Sequence, residues 1–255
     1  MARCWRTLDS GALDGAENMA LDAGLMERAR VSGEAVLRVY AWARPTLSFG
    51  RHEAVHSHFD AAQLEREGVS AVRRPTGGRV LMHDREVTYS VTAPSPDVGP
   101  LAEDYRAINA LLRNAMERIG IVVTEAPGTG GRRPGGAACF AEPAAGELVV
   151  GNRKLVGSAQ ARERGALLQH GSILVADDQA RINVLATAPL TPALPAATLT
   201  AALGRAPSYD EVRDALFGAL HASVSGVESL GPALAGASAA PFRAQFADPE
   251  WTWRW

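Results

Sequence analysis

The spacing of apolar and polar positions divides the chain into short helices and strands. Residues 16–30, AENMALDAGLMERAR, set Met19, Leu21 or Asp22, Leu25 and Met26 at helical spacing and predict an amphipathic helix. VLRVYAW (36–42) alternates and is rich in strand formers. Arg44-Pro45 ends it, and TLSFG (46–50) reads as a second short strand. FDAAQLEREG (59–68) predicts a helix closed by Gly68, and VSAVRRP (69–75) a strand halted by Pro75. TGGR (76–79) is a turn, because two glycines allow backbone angles that other residues avoid. EVTYSVTAP (86–94) alternates as a strand. LAEDYRAINALLRNAMERIG (101–120) is the clearest helix, with Tyr105, Ile108, Leu111, Leu112 and Met116 on one face.

The second half is more broken. EAPGTGGRRPGGAA (125–138) is dense in Gly and Pro and predicts a loop. GELVVGNRKLVGSAQ (146–160) predicts a hairpin turning at Gly151-Asn152, and ALLQHGSILV (166–175) a further strand. DDQARINVLA (177–186) is a short helix with an acidic start, followed by a Pro-punctuated connection over 187–200. SYDEVRDALFGALHASV (208–224) is a helix whose Ser208 and Glu211 match the capping-box pattern. GPALAGASAA (231–240) reads as irregular. Trp251, Trp253 and Trp255 alternate like an edge strand packed on the parent domain or against another subunit. No repeat or heptad is present. Strands and helices mix without regular βαβ alternation, which predicts a mixed-sheet α/β domain rather than a doubly wound one.

Composition narrows the class. The 255 residues are 47% hydrophobic and 21% charged, as expected of a globular protein with a full core. A net charge of −2 gives no polyanion footprint, so nucleic acid is not an expected partner. Two cysteines make no disulfide framework or zinc spacing, and fit a reducing compartment. The N-terminal residues lack the apolar stretch of a signal peptide, and no run is long enough to span a bilayer. The expectation is a cytoplasmic protein with no membrane partner.

Four stretches carry candidate chemistry. In RRPTGGRVLMHD (73–84), Arg73, Arg74 and Arg79 surround a Gly-Gly turn and make a cradle for an anion or a carbonyl. The competing reading is a tight turn with solvated arginines. The stretch is neither a Walker loop nor GxGxxG. Cys139 follows the Gly-rich loop, with Arg132 and Arg133 nearby to favour a thiolate; a small buried residue is the alternative. Lys154 precedes the small residues Gly157, Ser158 and Ala159, which leave room for a ligand, although a surface lysine is the commoner case. His170 lies in an apolar strand, where a core histidine bonded to backbone is the ordinary expectation. His83 has a similar standing beside Asp84, and neither has a metal partner at useful spacing.

AENMALD (16–22), PTLSFG (45–50), RRPTGGRVLMHDREVTYSV (73–91), GNRKLVGSAQ (151–160) and LLQHGSIL (167–174), in that order, resemble the biotin/lipoate protein ligase superfamily, lipoate branch. The Cys-Phe pair before ELVV, with KLVGSAQ after it, is similar to the lipoate-ligase-like octanoyltransferases. The resemblance implies the biotin/lipoate protein ligase catalytic domain: an α/β (α+β) fold with a mixed, largely antiparallel sheet flanked by helices. It also implies one domain over 1–255, too short for an accessory C-terminal ligase domain. By the same resemblance Cys139 is the acyl-accepting nucleophile and Lys154 the lysine facing the acyl carbonyl. The loop of Arg73, Arg74, Thr76, Gly77, Gly78 and Arg79 walls the acyl tunnel, with His83 beside it. Gly157, Ser158, Ala159, Gln169, His170 and Gly171 line the same pocket. The chain departs from the pattern at Ala144, Ala145 and Gly146, where such enzymes often carry aromatic residues.

The implied reaction moves octanoyl from octanoyl-acyl carrier protein to a lysine of a lipoyl domain, such as glycine cleavage H protein or an E2 subunit, through a Cys139 thioester. Thioester exchange is near balance and needs no cofactor. The alternatives are an ATP-dependent lipoate-protein ligase, which forms an acyl-adenylate and generally lacks the cysteine; an amidotransferase between lipoyl domains; and a non-catalytic binding module. Because the carrier is acidic, Arg132, Arg133 and Arg153 are the expected rim charges.

Overall fold

The computed structural model describes residues 4–96, 101–127, 146–188, 190 and 194–254. The chain enters through β1 (Cys4–Leu13), α1 (Gly15–Ser32), β2 (Glu34–Trp42), β3 (Thr46–Phe49), α2 (Ala61–Arg66), β4 (Ser70–Arg73), β5 (Leu81–His83), β6 (Glu86–Pro94) and α3 (Leu101–Arg118). It continues through β7 (Thr124–Glu125), β8 (Leu148–Val150), β9 (Arg153–Lys154), β10 (Val156–Glu163), β11 (Ala166–Leu174), α4 (Arg181–Leu185), α5 (Leu199–Leu203), α6 (Tyr209–Ser223), β12 (Glu228–Ser229), α7 (Pro232–Ala239), α8 (Arg243–Ala247) and α9 (Pro249–Trp253).

The main sheet runs β10-β11-β6-β2-β1-β12. Its pairs from β10 to β2 are antiparallel, and β2-β1 and β1-β12 are parallel, so the sheet is mixed and largely antiparallel as expected. The period of two along each strand sorts the residues onto two faces. Leu37, Val39, Val91, Leu167 and Ile173 build an apolar core with α3 and α6. The other face carries Arg38, Tyr40, Thr88, Ser90, His170 and Ser172. Register sets several of these side by side, because Ser90 pairs with Arg38 on one flank and His170 on the other. α1 covers this polar face, turning Asn18 and Asp22 to the buried side with Met19, Leu21 and Leu25. Gly33, at φ +75°, ends α1. Two small sheets flank the main one, β4-β3-β5 and β7-β8-β9.

Several expectations give way. Residues 4–13 form β1, hidden in the sequence because the register shifts between Asp9 and Gly11 and breaks the alternation. The 146–160 hairpin is real only as far as Lys154. β8 and β9 turn at Gly151-Asn152, then the chain changes sheets and β10 pairs with β11. The helix expected over 177–186 spans only Arg181–Leu185, and α5 begins within the connection expected over 187–200. The stretch 231–240 is not irregular. Pro232 occupies the first turn of α7, the Ala-rich run favours helix, and α7 lies so close to α1 that a Cβ at Gly24 would sit 2.1 Å from the Ser238 carbonyl oxygen. Nor is the Trp-rich end a strand. Asp248 caps α9 by accepting from Glu250 N at 2.9 Å, and Pro249 starts the helix. Trp251 packs on Phe246 and Trp253 on Phe49, so the segment does pack on the parent domain. Trp255 lies outside the described residues.

Candidate active site

A narrow cleft opens on the α1 face of the sheet. Arg74 and His83 form one wall, and Gly157, Ser158, Ala159, His170 and Gly171 the other, with Met19, Tyr40 and Trp42 between them. These expected residues meet because β10 and β11 run side by side, with Ala159 opposite His170 and Ser158 opposite Gly171. Gly171 admits no side chain. A Cβ there would lie 2.5 Å from the Gly157 carbonyl oxygen and 2.9 Å from the Tyr89 ring.

Beneath the cleft lies a buried network that the sequence did not disclose. Arg38 donates to Asp22 Oδ1 at 2.7 Å and to Asn18 Oδ1 at 2.5 Å. Ser90 donates to Asp22 Oδ1 at 2.7 Å, and Tyr40 to Oδ2 at 3.0 Å. His170 Nδ1 stands 2.8 Å from Asp22 Oδ2, and its Nε2 stands 2.7 Å from Thr76 Oγ1. Burial works to raise the Asp22 pKa, but Arg38 and the His170 and Ser90 hydrogen bonds outweigh it and hold the carboxyl below its ordinary range. An ionised carboxylate only accepts, so Nδ1 of His170 carries the proton and Nε2 accepts from the Thr76 hydroxyl. Burial holds His170 below its usual pKa against the pull of Asp22, which agrees with a neutral ring. The network thereby fixes Thr76, and with it the Arg74–Arg79 loop, to β11. The signal for Asp22 was a carboxylate on the buried face of α1.

His83 anchors the opposite wall. It stacks on Trp42 at 3.9 Å between centroids, and its Nε2 and Nδ1 stand 2.6 Å from Ser48 Oγ and 2.5 Å from Glu86 Oε1. Arg74 donates to the Ser48 hydroxyl and carbonyl, both at 2.6 Å, and to the carbonyls of Gly77 and Arg79. Its guanidinium thus shapes the loop from inside. Gly77, Gly78 and Arg79 are exposed on the loop, away from the cleft lining. Arg73, expected in the cradle, is turned the other way and bonds main-chain carbonyls at Gly50 and in the C-terminal segment. Gln169 stands behind the wall, donating to Tyr89 Oη at 2.9 Å.

Lys154 is buried, and its Nζ donates to Glu147 Oε1 at 2.7 Å. Glu147 sits at the start of the short hairpin and was missed from sequence. Ser158 joins the cleft to this region. Its hydroxyl stands 2.7 Å from Tyr89 Oη, and the Tyr105 ring of α3 lies against Gly146, the residue before Glu147. Burial pushes the Tyr89 pKa up to about 12, and that of Tyr105 higher still. The charge of Glu147 raises both. Arg153 is exposed beside Lys154. Cys139, Arg132, Arg133, Ala144 and Ala145 lie outside the described residues.

A family model of the lipoyl protein ligase A/B catalytic domain matches residues 14–221. Octanoyltransferase LipM of Kyrpidia tusciae is 43% identical over 191 residues, covering 71% of this chain and 70% of that one. LipM of Moorella thermoacetica is 41% identical over 180 residues, covering 68% and 66%. The matched stretch thus spans about two thirds of those relatives' lengths. The bipartite lipoate protein ligase of Thermoplasma acidophilum superposes with a TM-score of 0.76 at 20% identity, covering 99% of this chain and 97% of that one, and carries the fold alone. On the family match and on relatives at this identity, the chain belongs to the lipoyl protein ligase A/B catalytic domain family, as an acyltransferase of the octanoyltransferase kind.

Proposed function

We propose that this octanoyltransferase takes its acyl group from octanoyl-acyl carrier protein and passes it to a lysine of a lipoyl domain through a thioester on Cys139. The observation that carries the reading is Ser158, which lines the cleft, hydrogen-bonds Tyr89 and lies four residues along the chain from the buried Lys154 of the Lys154–Glu147 pair. A chain seated in the cleft would thus lead toward an ammonium, the group needed where a carbonyl oxygen gains charge. The reducing cytoplasm suits the free thiol.

In the first half-reaction the Cys139 thiolate attacks the octanoyl carbonyl. A new carbon–sulfur bond forms, the bond to the carrier's pantetheine sulfur breaks, and that thiolate leaves with a proton taken from the Lys154 ammonium, which is left neutral. The Lys154 ammonium favours the Cys139 thiolate and polarises the carbonyl. One thioester replaces another, so neither ATP nor a metal is called for. In the second half the target amine attacks the thioester, Cys139 leaves as thiolate, and the amine's proton passes to Lys154 in its neutral form.

The test offers three donors to the same lipoyl domain: octanoyl-acyl carrier protein without ATP, a second, octanoylated lipoyl domain without ATP, or free octanoate with ATP and magnesium. Octanoylation of the acceptor from the carrier alone supports the reading. Octanoylation only from free octanoate with ATP overturns it in favour of a ligase, and transfer only from an octanoylated lipoyl domain favours the amidotransferase.

A further inference from the structure

Arg73 is fully buried, and its guanidinium donates to the main-chain carbonyls of Gly50 at 2.6 Å, Glu53 at 2.9 Å, Thr252 at 3.0 Å and Arg254 at 2.6 Å. Two of these lie in the loop after β3 and two in the C-terminal segment. The segment answers in kind: Trp251 Nε1 donates to the Arg73 carbonyl at 3.1 Å, and Trp253 packs edge-on against Phe49 at 5.5 Å. Burying a cation is costly, and here it is offset by acceptors spread over two separate stretches of chain.

What Arg73 holds is the support of the cleft. The Glu53 carboxylate accepts from Gly50 N at 3.0 Å and from Val80 N at 2.9 Å, and Arg51 N donates to the Thr76 carbonyl at 2.8 Å. Gly50 packs so tightly that a Cβ would lie 2.0 Å from the Gly78 carbonyl oxygen. The 50–53 loop therefore carries the 76–80 loop, whose Thr76 hydroxyl meets His170 and whose neighbour Arg74 lines the cleft. The family match ends at residue 221, so the segment doing the holding lies beyond it.

We propose that residues 249–254 are a positioning clamp for the acyl cleft, acting through Arg73 and the 50–53 loop on the 76–80 loop. Arg73 is a positioning residue and touches no substrate. Releasing the clamp lets the 76–80 loop drift from β11, which weakens capture of the acyl chain more than the chemistry at the thioester.

The test compares the full chain with a deletion of 249–255 and with the milder Trp251→Phe, which removes the indole N–H and trims the ring but keeps an aromatic side chain. Two readouts are taken. Hydrogen exchange is followed at the Gly50, Arg51 and Val80 amides, and KM and kcat for transfer from octanoyl-acyl carrier protein are measured. The deletion is expected to speed exchange at those amides roughly tenfold while β6 and β11 stay protected. It is also expected to raise KM roughly tenfold with kcat changed much less, and Trp251→Phe moves both the same way by a smaller factor. Unchanged exchange at these amides in both variants, or a lower melting temperature with KM intact, overturns the clamp. The transfer reading enters only through the kinetics. If no variant transfers octanoyl, that reading fails while the exchange result still decides the clamp, and Trp251→Phe decides it if the deletion does not fold.

Discussion

Lys154 Nζ and Glu147 Oε1 stand 2.7 Å apart with both side chains buried, so the candidate catalytic lysine is held as half of an ion pair. Removing one member of a buried pair leaves an uncompensated charge, at a cost of about 3–5 kcal/mol. Glu147→Ala is therefore expected to lower stability by about that much in denaturant titration. Adding Glu147→Gln to Lys154→Met should recover much of what Lys154→Met alone loses. A double variant no more stable than Lys154→Met would show that the two charges are not coupled.

Ala159 lies opposite His170 and lines the cleft. Enlarging it to Leu narrows the space for the distal end of an acyl chain. If two methylenes lose their burial, the loss is about 1.6 kcal/mol, or roughly fifteenfold in kcat/KM. Ala159→Leu should therefore depress octanoyl transfer by about that factor relative to hexanoyl transfer. Equal losses for both chain lengths would place the acyl chain elsewhere.

His170 gives stability a pH dependence of definite sign. Burial lowers its pKa in the folded protein below the ordinary 6.5. The unfolded chain therefore binds a proton near that pH while the folded one resists, and stability falls as pH drops through 6.5. Asp22, held below 3.8, stays ionised across this window and loses its contribution only at lower pH. His170→Gln keeps a group able to meet Thr76 but does not titrate. The gap in melting temperature between wild type and His170→Gln should be largest near pH 8 and should narrow toward about pH 5. A gap constant with pH would mean that the ring titrates alike in the folded and the unfolded chain, and a gap that widens toward pH 5 would mean that the folded ring holds its proton.

Gly24 tests the unexpected helix α7. Its missing side chain lets α7 approach α1, and a Cβ would meet the Ser238 carbonyl. Gly24→Ala gains helix propensity but overpacks the contact, so a net destabilisation of about 1–3 kcal/mol is expected. A stabilised Gly24→Ala protein would show that the two helices are not in contact.

The readable part of the fold was its periodic part. α1, β2, β6, α3, β11 and α6 announce themselves by spacing, and Ser208 does accept from Glu211 N at 3.1 Å. The paired capping group was misjudged, because Glu211 turns its carboxylate to Arg205 instead. β1 was hidden by its bulge, and α9 by tryptophans whose spacing of two suits a strand or opposite sides of a short helix. In the site, runs of small residues marked where a wall is thin, as at Gly157 and Gly171. Long-range partners left no local trace. Asp22 meets His170 across 148 positions and Arg73 meets Thr252 across 179. A cluster of arginines therefore reads alike whether a guanidinium faces a ligand, as expected of Arg73, or a distant backbone, as found.

The central claim is a thioester on Cys139, and intact-mass measurement tests it most directly. The protein is incubated with octanoyl-acyl carrier protein in the absence of ATP and acceptor, then weighed before and after neutral hydroxylamine. The account predicts one added octanoyl group on wild type, removed by hydroxylamine, and none on Cys139→Ser. Equal, hydroxylamine-resistant labelling of wild type and Cys139→Ser, or labelling that appears only with ATP, would contradict it.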